Sequence, residues 1–211
     1  MTTRTLAVVS GGLSNPSSTR LLADRLTAAT VGALRSRGDD TTVEVVELRA
    51  HARDLADNLV TGFPNEALRT AVDTVTGADG LIAVTPIFSA SYSGLFKTFF
   101  DVLEPGALDG TPVLVAATAG TARHSLVLDH ALRPLFGYLH AVVVPTGVFA
   151  ASEDFGAAAP GDSLTRRVER AAGELAALVA ARTVTPGDSP RLDQFDRDLA
   201  AMGDFEQMLH G

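Results

Sequence analysis

The sequence predicts an α/β domain in which five parallel strands form one doubly wound sheet with helices on both faces. Three observations carry this. Five short apolar runs alternate with segments of helical period, the pattern of a parallel sheet joined by crossover helices. Four of the runs are apolar without interruption, as strands covered on both faces are. The remaining run, Thr42 to Leu48, is interrupted by Glu44 and Glu47, so it reads as an edge strand with one wet face. An edge second strand fits the order 2-1-3-4-5, that of the flavodoxin-like sheet.

Taken in order, the first strand is Leu6–Val9, followed by a helix from Ser18 to about Arg37 with Leu22, Leu26, Ala29 and Ala33 on one stripe. The second strand is Val43–Leu48, and Leu68, Ala71, Val72 and Val75 mark the second helix. Leu81–Val84 leads to a strongly apolar helix with Leu95, Phe96, Phe99, Phe100 and Leu103. Val113–Ala117 leads to a fourth helix with Leu128, Leu132, Leu135, Phe136 and Leu139. Ala141–Val144 is the fifth strand, and Leu164, Val168, Ala171, Leu175 and Leu178 place the fifth helix at the same period. Pro134 has no N–H, so the carbonyl of His130 loses its helical partner. A kink or a one-turn π-bulge near His130 is the expected remedy.

Residues 150–162, rich in Ala, Gly and Pro, read as a surface loop. The main domain is expected over residues 1–184, a Pro/Gly linker over 185–190 and a helical tail over 191–211. In the tail, Leu192, Phe195, Leu199, Met202, Phe205 and Leu209 recur at helical spacing. That stripe packs either on its own domain or on a neighbouring subunit, and periodicity does not distinguish the two.

Composition narrows the function. The 211 residues are 46% hydrophobic and 20% charged, enough for one full core that buries about 70% of the unfolded surface. The absence of cysteine removes disulfides, thiolate metal sites and cysteine nucleophiles together. A net charge of -8 with scattered Lys and Arg argues against a nucleic-acid surface, which needs clustered positive charge. The opening apolar run of four residues, Leu6 to Val9, is too short for a leader core or a membrane span, so a cytoplasmic location and no membrane partner are expected. The five histidines form no HExxH or helical i,i+4 pair, so no metal site is expected, and no G-x-S-x-G elbow is present.

Ligands of such sheets bind where loops leave the carboxyl ends of the strands. The first loop, Ser10 to Arg20, runs from strand to helix and holds four hydroxyls in the six residues from Ser14 to Thr19. Free N–H groups and the helix dipole favour an anion there, and hydroxyls suit a phosphate monoester. An ordinary N-cap would need only one of them. The second loop, Thr85-Pro86-Ile87-Phe88-Ser89-Ala90-Ser91-Tyr92-Ser93-Gly94, has a proline for a rigid turn and small residues for close backbone approach. Phe88 and Tyr92 either supply aromatic surface beside a planar heterocycle or pack under the loop. The third loop, Ala117 to His124, has small residues that leave room over a flat ring. Arg123 on its rim is either a phosphate contact or an ordinary solvated arginine.

Here the residues resemble a known family. The second loop, continuing into Leu95-Phe96-Lys97-Thr98, is similar to the flavin-ring loop of NAD(P)H-dependent FMN reductases, in particular those of two-component monooxygenase systems such as alkanesulfonate utilisation. The first loop resembles their FMN-phosphate loop. Thr118 to His124, continuing through Ala131-Leu132-Arg133-Pro134-Leu135, resembles their third loop and following helix. The resemblance implies FMN as cofactor and NADPH or NADH as hydride donor. It implies FMN contacts from Ser10, Ser17, Ser18, Thr19, Pro86, Ile87, Phe88, Ser91, Ser93, Gly94, Thr118 and Gly120, and a nicotinamide or phosphate contact from Arg123. It also implies a monooxygenase partner and a homodimer or homotetramer. His130 falls where some such reductases insert a residue, often tyrosine, in a π-bulge near flavin and subunit interface; an ordinary interface histidine is the alternative. Phe88 stands where many relatives have tyrosine, Ser89 replaces a frequent lysine, and the tail after Pro186 has no match.

No acid, base or nucleophile is evident, which agrees with hydride transfer between stacked rings, where the protein supplies position. Three alternatives share the fold. A quinone, azo or chromate reductase would retain its FMN, and free FMN as a saturable substrate separates it from an FMN reductase. A one-electron flavodoxin carrier needs no open nicotinamide site, and direct reduction by NADPH excludes it. A non-enzymatic phosphate-binding module would purify colourless.

Overall fold

A computed structural model describes residues 2–155 and 163–182. In chain order the elements are β1 (Thr3–Ser10), α1 (Ser18–Arg35), β2 (Asp40–Glu47), a 3-10 turn (Leu48–His51), α2 (Ala52–Thr61), α3 (Glu66–Thr76), β3 (Gly80–Phe88) and β4 (Ser91–Tyr92). They continue with α4 (Gly94–Asp101), β5 (Pro112–Ala119), a π-turn (Leu128–Leu132), α5 (Arg133–Tyr138), β6 (Val142–Val143), β7 (Val148–Ala151) and α6 (Ser163–Ala181). The parallel sheet runs β2-β1-β3-β5-β6, with β7 continuing beside β5 where β6 leaves off. This is the expected 2-1-3-4-5 order with its second strand at the edge; in β2 exposed and half-buried residues alternate from Asp40 to Glu44, Val45 is exposed as well, and only Val46 is buried.

Each central strand feeds two cores by simple alternation. Ala7, Val9, Leu81, Ala83, Val113 and Val115 face one side, against Leu55, Leu68, Val75, Phe96, Phe99, Phe100 and Phe136. Leu6, Val8, Ile82, Val84, Leu114 and Ala116 face the other, against Leu22, Leu26, Leu34, Val168, Leu175 and Val179. The first core is aromatic: Phe96 and Phe136 both lie within 5 Å, centroid to centroid, of Phe100. On the second face β3 and α6 approach closely, because a Cβ on Gly80 would come within 2.5 Å of Val179.

Three expectations need correction. A helix not anticipated from the sequence, α2, follows β2. It buries only Leu55, while Leu59 and Val60 within it and Phe63 just after it stay exposed; Leu55, Leu59 and Phe63 do recur at helical spacing, a signal passed over in the sequence. The fifth strand is two pieces. Val142–Val143 pairs with the start of β5, the chain breaks at Pro145–Gly147, and Val148–Ala151 pairs with the end of β5. The first piece is not covered on both faces, since Val142 is 44% exposed. Residues 150–155, expected as the start of a loop, are instead the end of β7 and a 3-10 turn. The break is held from both sides: Arg133 donates to the carbonyls of Val144 and Pro145, and Glu174 accepts from Thr146 N and Oγ1 at 2.7 and 2.8 Å. Side chains therefore satisfy the backbone groups that the broken ladder leaves.

The π-bulge is present at the expected place, with Arg133 N donating to Leu128 O across the Leu128–Leu132 turn. The expected linker and tail lie outside the described residues.

Candidate functional site

Strand register brings the three expected loops together. Ser10 at the end of β1 pairs with Val84 of β3, and Pro86 of β3 pairs with Thr118 at the end of β5. The first loop is pinned at its root by Gly11 N donating to Val84 O at 2.8 Å. A Cβ on Gly11 would lie 3.3 Å from Pro86 and 3.4 Å from Phe96, so the first and second loops touch there. The first and third loops are joined by a buried hydrogen bond of 2.8 Å between the Thr19 and Thr118 hydroxyls.

The hydroxyls of the first loop divide their work. Ser17 is the N-cap of α1, its Oγ accepting from Arg20 N at 3.2 Å. Thr19 is engaged with Thr118. Ser14 and Ser18 are exposed, and Ser10 is 2% exposed at the loop's root. Gly12 is required by close approach, since its Cβ would fall 2.2 Å from Ser17 Oγ. The loop and the first turns of α1 border a cleft of about 250 Å³ lined by Ser10, Gly12, Ser14 to Ser17, Arg20, Leu21, Asp24, Glu47 and Arg49. That is room for a phosphate and its ester arm, less than the usual volume for a whole drug-sized ligand. A smaller cavity near Thr3, Arg35 and Asp40 lies at the amino end of the strands, away from these loops.

The second loop differs in shape from the expected proline turn. Pro86 lies within β3, which continues to Phe88, turns through Ser89 and Ala90, and returns as β4 with Phe88 opposite Ser91 and Ile87 opposite Tyr92. Ser89 and Ala90 have φ of 48° and 66°, left-handed values that non-glycine residues adopt at a cost of roughly 1–2 kcal/mol each. The hairpin carries Phe88 to the rim, 49% exposed, while Tyr92 packs partly on the core near Phe96. Ser93 is 1% exposed and is the N-cap of α4: its Oγ accepts from Phe96 N, and its own N–H donates to Thr85 Oγ1. Its side chain therefore shapes the loop from beneath. Gly94 and Gly120 have no heavy atom within 4 Å of where a Cβ would stand, which leaves open space at both. Arg123 is exposed on a 3-10 turn beyond Gly120.

One group at this end was not anticipated because it follows the second strand, whose loop was not read as part of the site. Glu47, the last residue of β2, accepts from Arg20 Nη1 on Oε1 and from Arg49 Nε on Oε2 at 2.9 Å. Asp24 holds Arg20 Nε at 2.8 Å, and that bond, against the cost of burial and with help from Glu47, raises an already high pKa. Arg49 Nη1 also lies 3.5 Å from Ser14 O. Glu47 and Arg20 lie 27 positions apart on different elements, so their pairing leaves no sequence pattern to find. Among the described residues no group of three His, Asp or Glu could hold a metal, and no helix is long and apolar enough to cross a membrane.

Comparison with known proteins shows the family of the chain. Residues 4–156 match the profile of the NADPH-dependent FMN reductase family. An FMN reductase (NADPH) of Pseudomonas aeruginosa is 40% identical over 152 residues, 71% of this chain and 78% of the relative. The NADH-dependent FMN reductase SfnE of Pseudomonas putida is 40% identical over 149 residues, 71% of this chain and 77% of the relative. The crystal structure of an oxidoreductase from Corynebacterium diphtheriae superposes with a TM-score of 0.83 at 50% identity, covering 87% of this chain and 100% of that one.

Proposed function

The chain belongs to the NADPH-dependent FMN reductase family and is an oxidoreductase that reduces FMN with a reduced nicotinamide; we propose that it does so at the three carboxyl-end loops and hands reduced FMN to a monooxygenase. The observation that supports the site most directly is the Thr19–Thr118 hydroxyl bond together with the approach of Gly11 to Pro86, close enough that a Cβ on Gly11 would stand 3.3 Å from it, which brings the three loops near one another.

The residues fit the group. The α1 N-terminus, its exposed Ser14 and Ser18, and the Gly12 approach form a cradle for a phosphate monoester. When bound, FMN supplies the ring that accepts the hydride. In this reading Ser10, Ser17, Ser18 and Thr19 hold the phosphate end, Ser17 and Thr19 partly by fixing the loop. Pro86, Ile87, Phe88, Ser91 and Gly94 meet the ring edge with backbone groups, and Ser93 holds that loop through the α4 cap. Thr118 and the open space at Gly120 leave one ring face to the nicotinamide, with Arg123 available to a nicotinamide phosphate. Pre-set geometry of this kind is what the chain contributes to hydride transfer, since no side chain has to gain or lose a proton.

The relatives divide between NADPH and NADH in their names, so both donors belong in the test. Anaerobic mixing of the purified protein and FMN with each nicotinamide should bleach the flavin absorbance with at least one. No bleaching with either overturns the reading. Saturable dependence of the rate on free FMN is the expected sign of release; a rate independent of added FMN favours a retained flavin and a quinone or dye acceptor. A homodimer or homotetramer is proposed as the working assembly, and sedimentation of the loaded protein reads it.

A further inference from the structure

A phosphate monoester brings up to two negative charges, yet from Ser10 to Thr19 the first loop has no Lys, Arg or His. Positive charge for this cleft comes from Arg20, where the loop has entered α1, and from Arg49, just beyond β2, with the carboxylates of Asp24 and Glu47 on the same lining. Arg20 and Arg49 line it beside Ser14 and Ser17, and both are gathered on the two oxygens of Glu47. We propose that Glu47 sets Arg20 and Arg49 as a charge clamp on the 5′-phosphate of FMN, and that Arg49 makes this chain select the phosphorylated flavin over riboflavin. The proposal rests on the reading of the first loop as the phosphate site.

Three physical points support it. The side chains of Arg20, Arg49 and Glu47 are 36%, 39% and 30% exposed, and ion pairs that wet are weak. A guanidinium so held keeps most of its attraction for an arriving dianion, to which its planar fork is well matched. Glu47 is itself anchored at the last residue of β2, paired in register with Ser10, so both guanidinium groups are ordered before the ligand arrives and less entropy is lost on binding. Arg20 already spends Nε on Asp24 and Nη1 on Glu47. Arg49 spends Nε on Glu47 and makes only a long contact to Ser14 O through Nη1, which makes it the more available of the pair.

The test is titration of the full-length protein with FMN and, separately, with riboflavin, followed by flavin fluorescence. The unaltered chain should bind FMN more tightly, with the gap narrowing as salt is raised. Arg49→Ala should weaken FMN about 10-fold and leave riboflavin unchanged within about twofold, and Arg49→Lys should recover part of the gap by restoring charge. Equal loss for both flavins would mean that Arg49 only braces the loop through Ser14, and overturns the clamp. Unchanged FMN binding in Arg49→Ala overturns it as well. Binding of neither flavin by the unaltered chain overturns the site reading itself, and the clamp with it.

Discussion

At the amino end of the sheet Arg4 is 6% exposed, its guanidinium donating to Ala180 O at 3.1 Å and lying 3.8 Å from Asp79. Asp79 accepts from Thr5 N at 2.8 Å, and Arg182 donates to the carbonyls of Ala78 and Asp79. These charges close the end of α6 onto β1 and β3. At the carboxyl end the cleft is lined by serines and Gly12 together with Arg20, Asp24, Glu47 and Arg49, whose pairs around Glu47 stay partly wet, and the backbone is left-handed at Ser89 and Ala90. The contrast teaches a division of labour. Charge buried in fixed pairs serves the fold, whereas exposed charge and strained, small-residue loops remain available to a ligand.

The sharpest way to break this comparison is Asp79→Ala. It leaves Arg4 buried without its carboxylate and should cost about 3 kcal/mol in urea unfolding, with FMN affinity of the folded fraction unchanged. A loss of affinity as large as the loss of stability would dissolve the distinction between the ends. Next comes Gly12→Ala, whose new methyl meets Ser17 Oγ at 2.2 Å. It should weaken FMN about 10-fold, roughly the 1.4 kcal/mol of one decade, while lowering stability by only about 1 kcal/mol through the disturbed cap. Flavin titration and urea melts of the same variant separate the two.

Ala90→Gly works in the opposite direction. Relief of the left-handed alanine should raise stability by about 0.5–1 kcal/mol, after the added freedom of the unfolded chain is subtracted. A fall in the urea midpoint would show that the hairpin turn is not strained. The smallest effect belongs to the junction between the ends. Burial alone would raise the pKa of Glu174, but the Thr146 hydroxyl and N–H together with Arg170 outweigh it and hold the carboxyl below its ordinary value of 4.5. A lowered folded pKa means stabilisation that is present above the unfolded value and lost as pH falls through the folded one. The wild-type advantage over Glu174→Gln should therefore be full at neutral pH and shrink below about pH 4.5, read from urea midpoints across pH 3 to 7.

Much of the fold was legible because it is local. Leu6–Val9, Leu81–Val84 and Val113–Ala117 announce covered strands, Glu44 and Glu47 mark the edge, and Pro134 foretells the π-turn through one missing N–H. The three loops of the proposed site stand out in the sequence for the same reason, as hydroxyls, glycines and prolines placed just after strands. Helix α2 was missed although Leu55, Leu59 and Phe63 recur at helical spacing, and of these only Leu55 is buried in the fold. The break after Val144 was missed as well, where Pro145 and Gly147 read as the strand's end rather than as an interruption.

The sequence by itself determined where most strands and helices lie, the faces of most helices and the places where chemistry could sit, because each depends on neighbours a few residues apart; the order of strands followed from the fold class and its edge strand. Tertiary structure alone decided that Thr19 would meet Thr118, that Arg133 and Glu174 would hold the broken strand, and that Glu47 would draw Arg20 and Arg49 together. Those bonds join residues on different elements, with the Thr19–Thr118 pair 99 positions apart. Hydrogen bonds and ion pairs act over a few ångströms, and only the packed sheet brings such groups within that range.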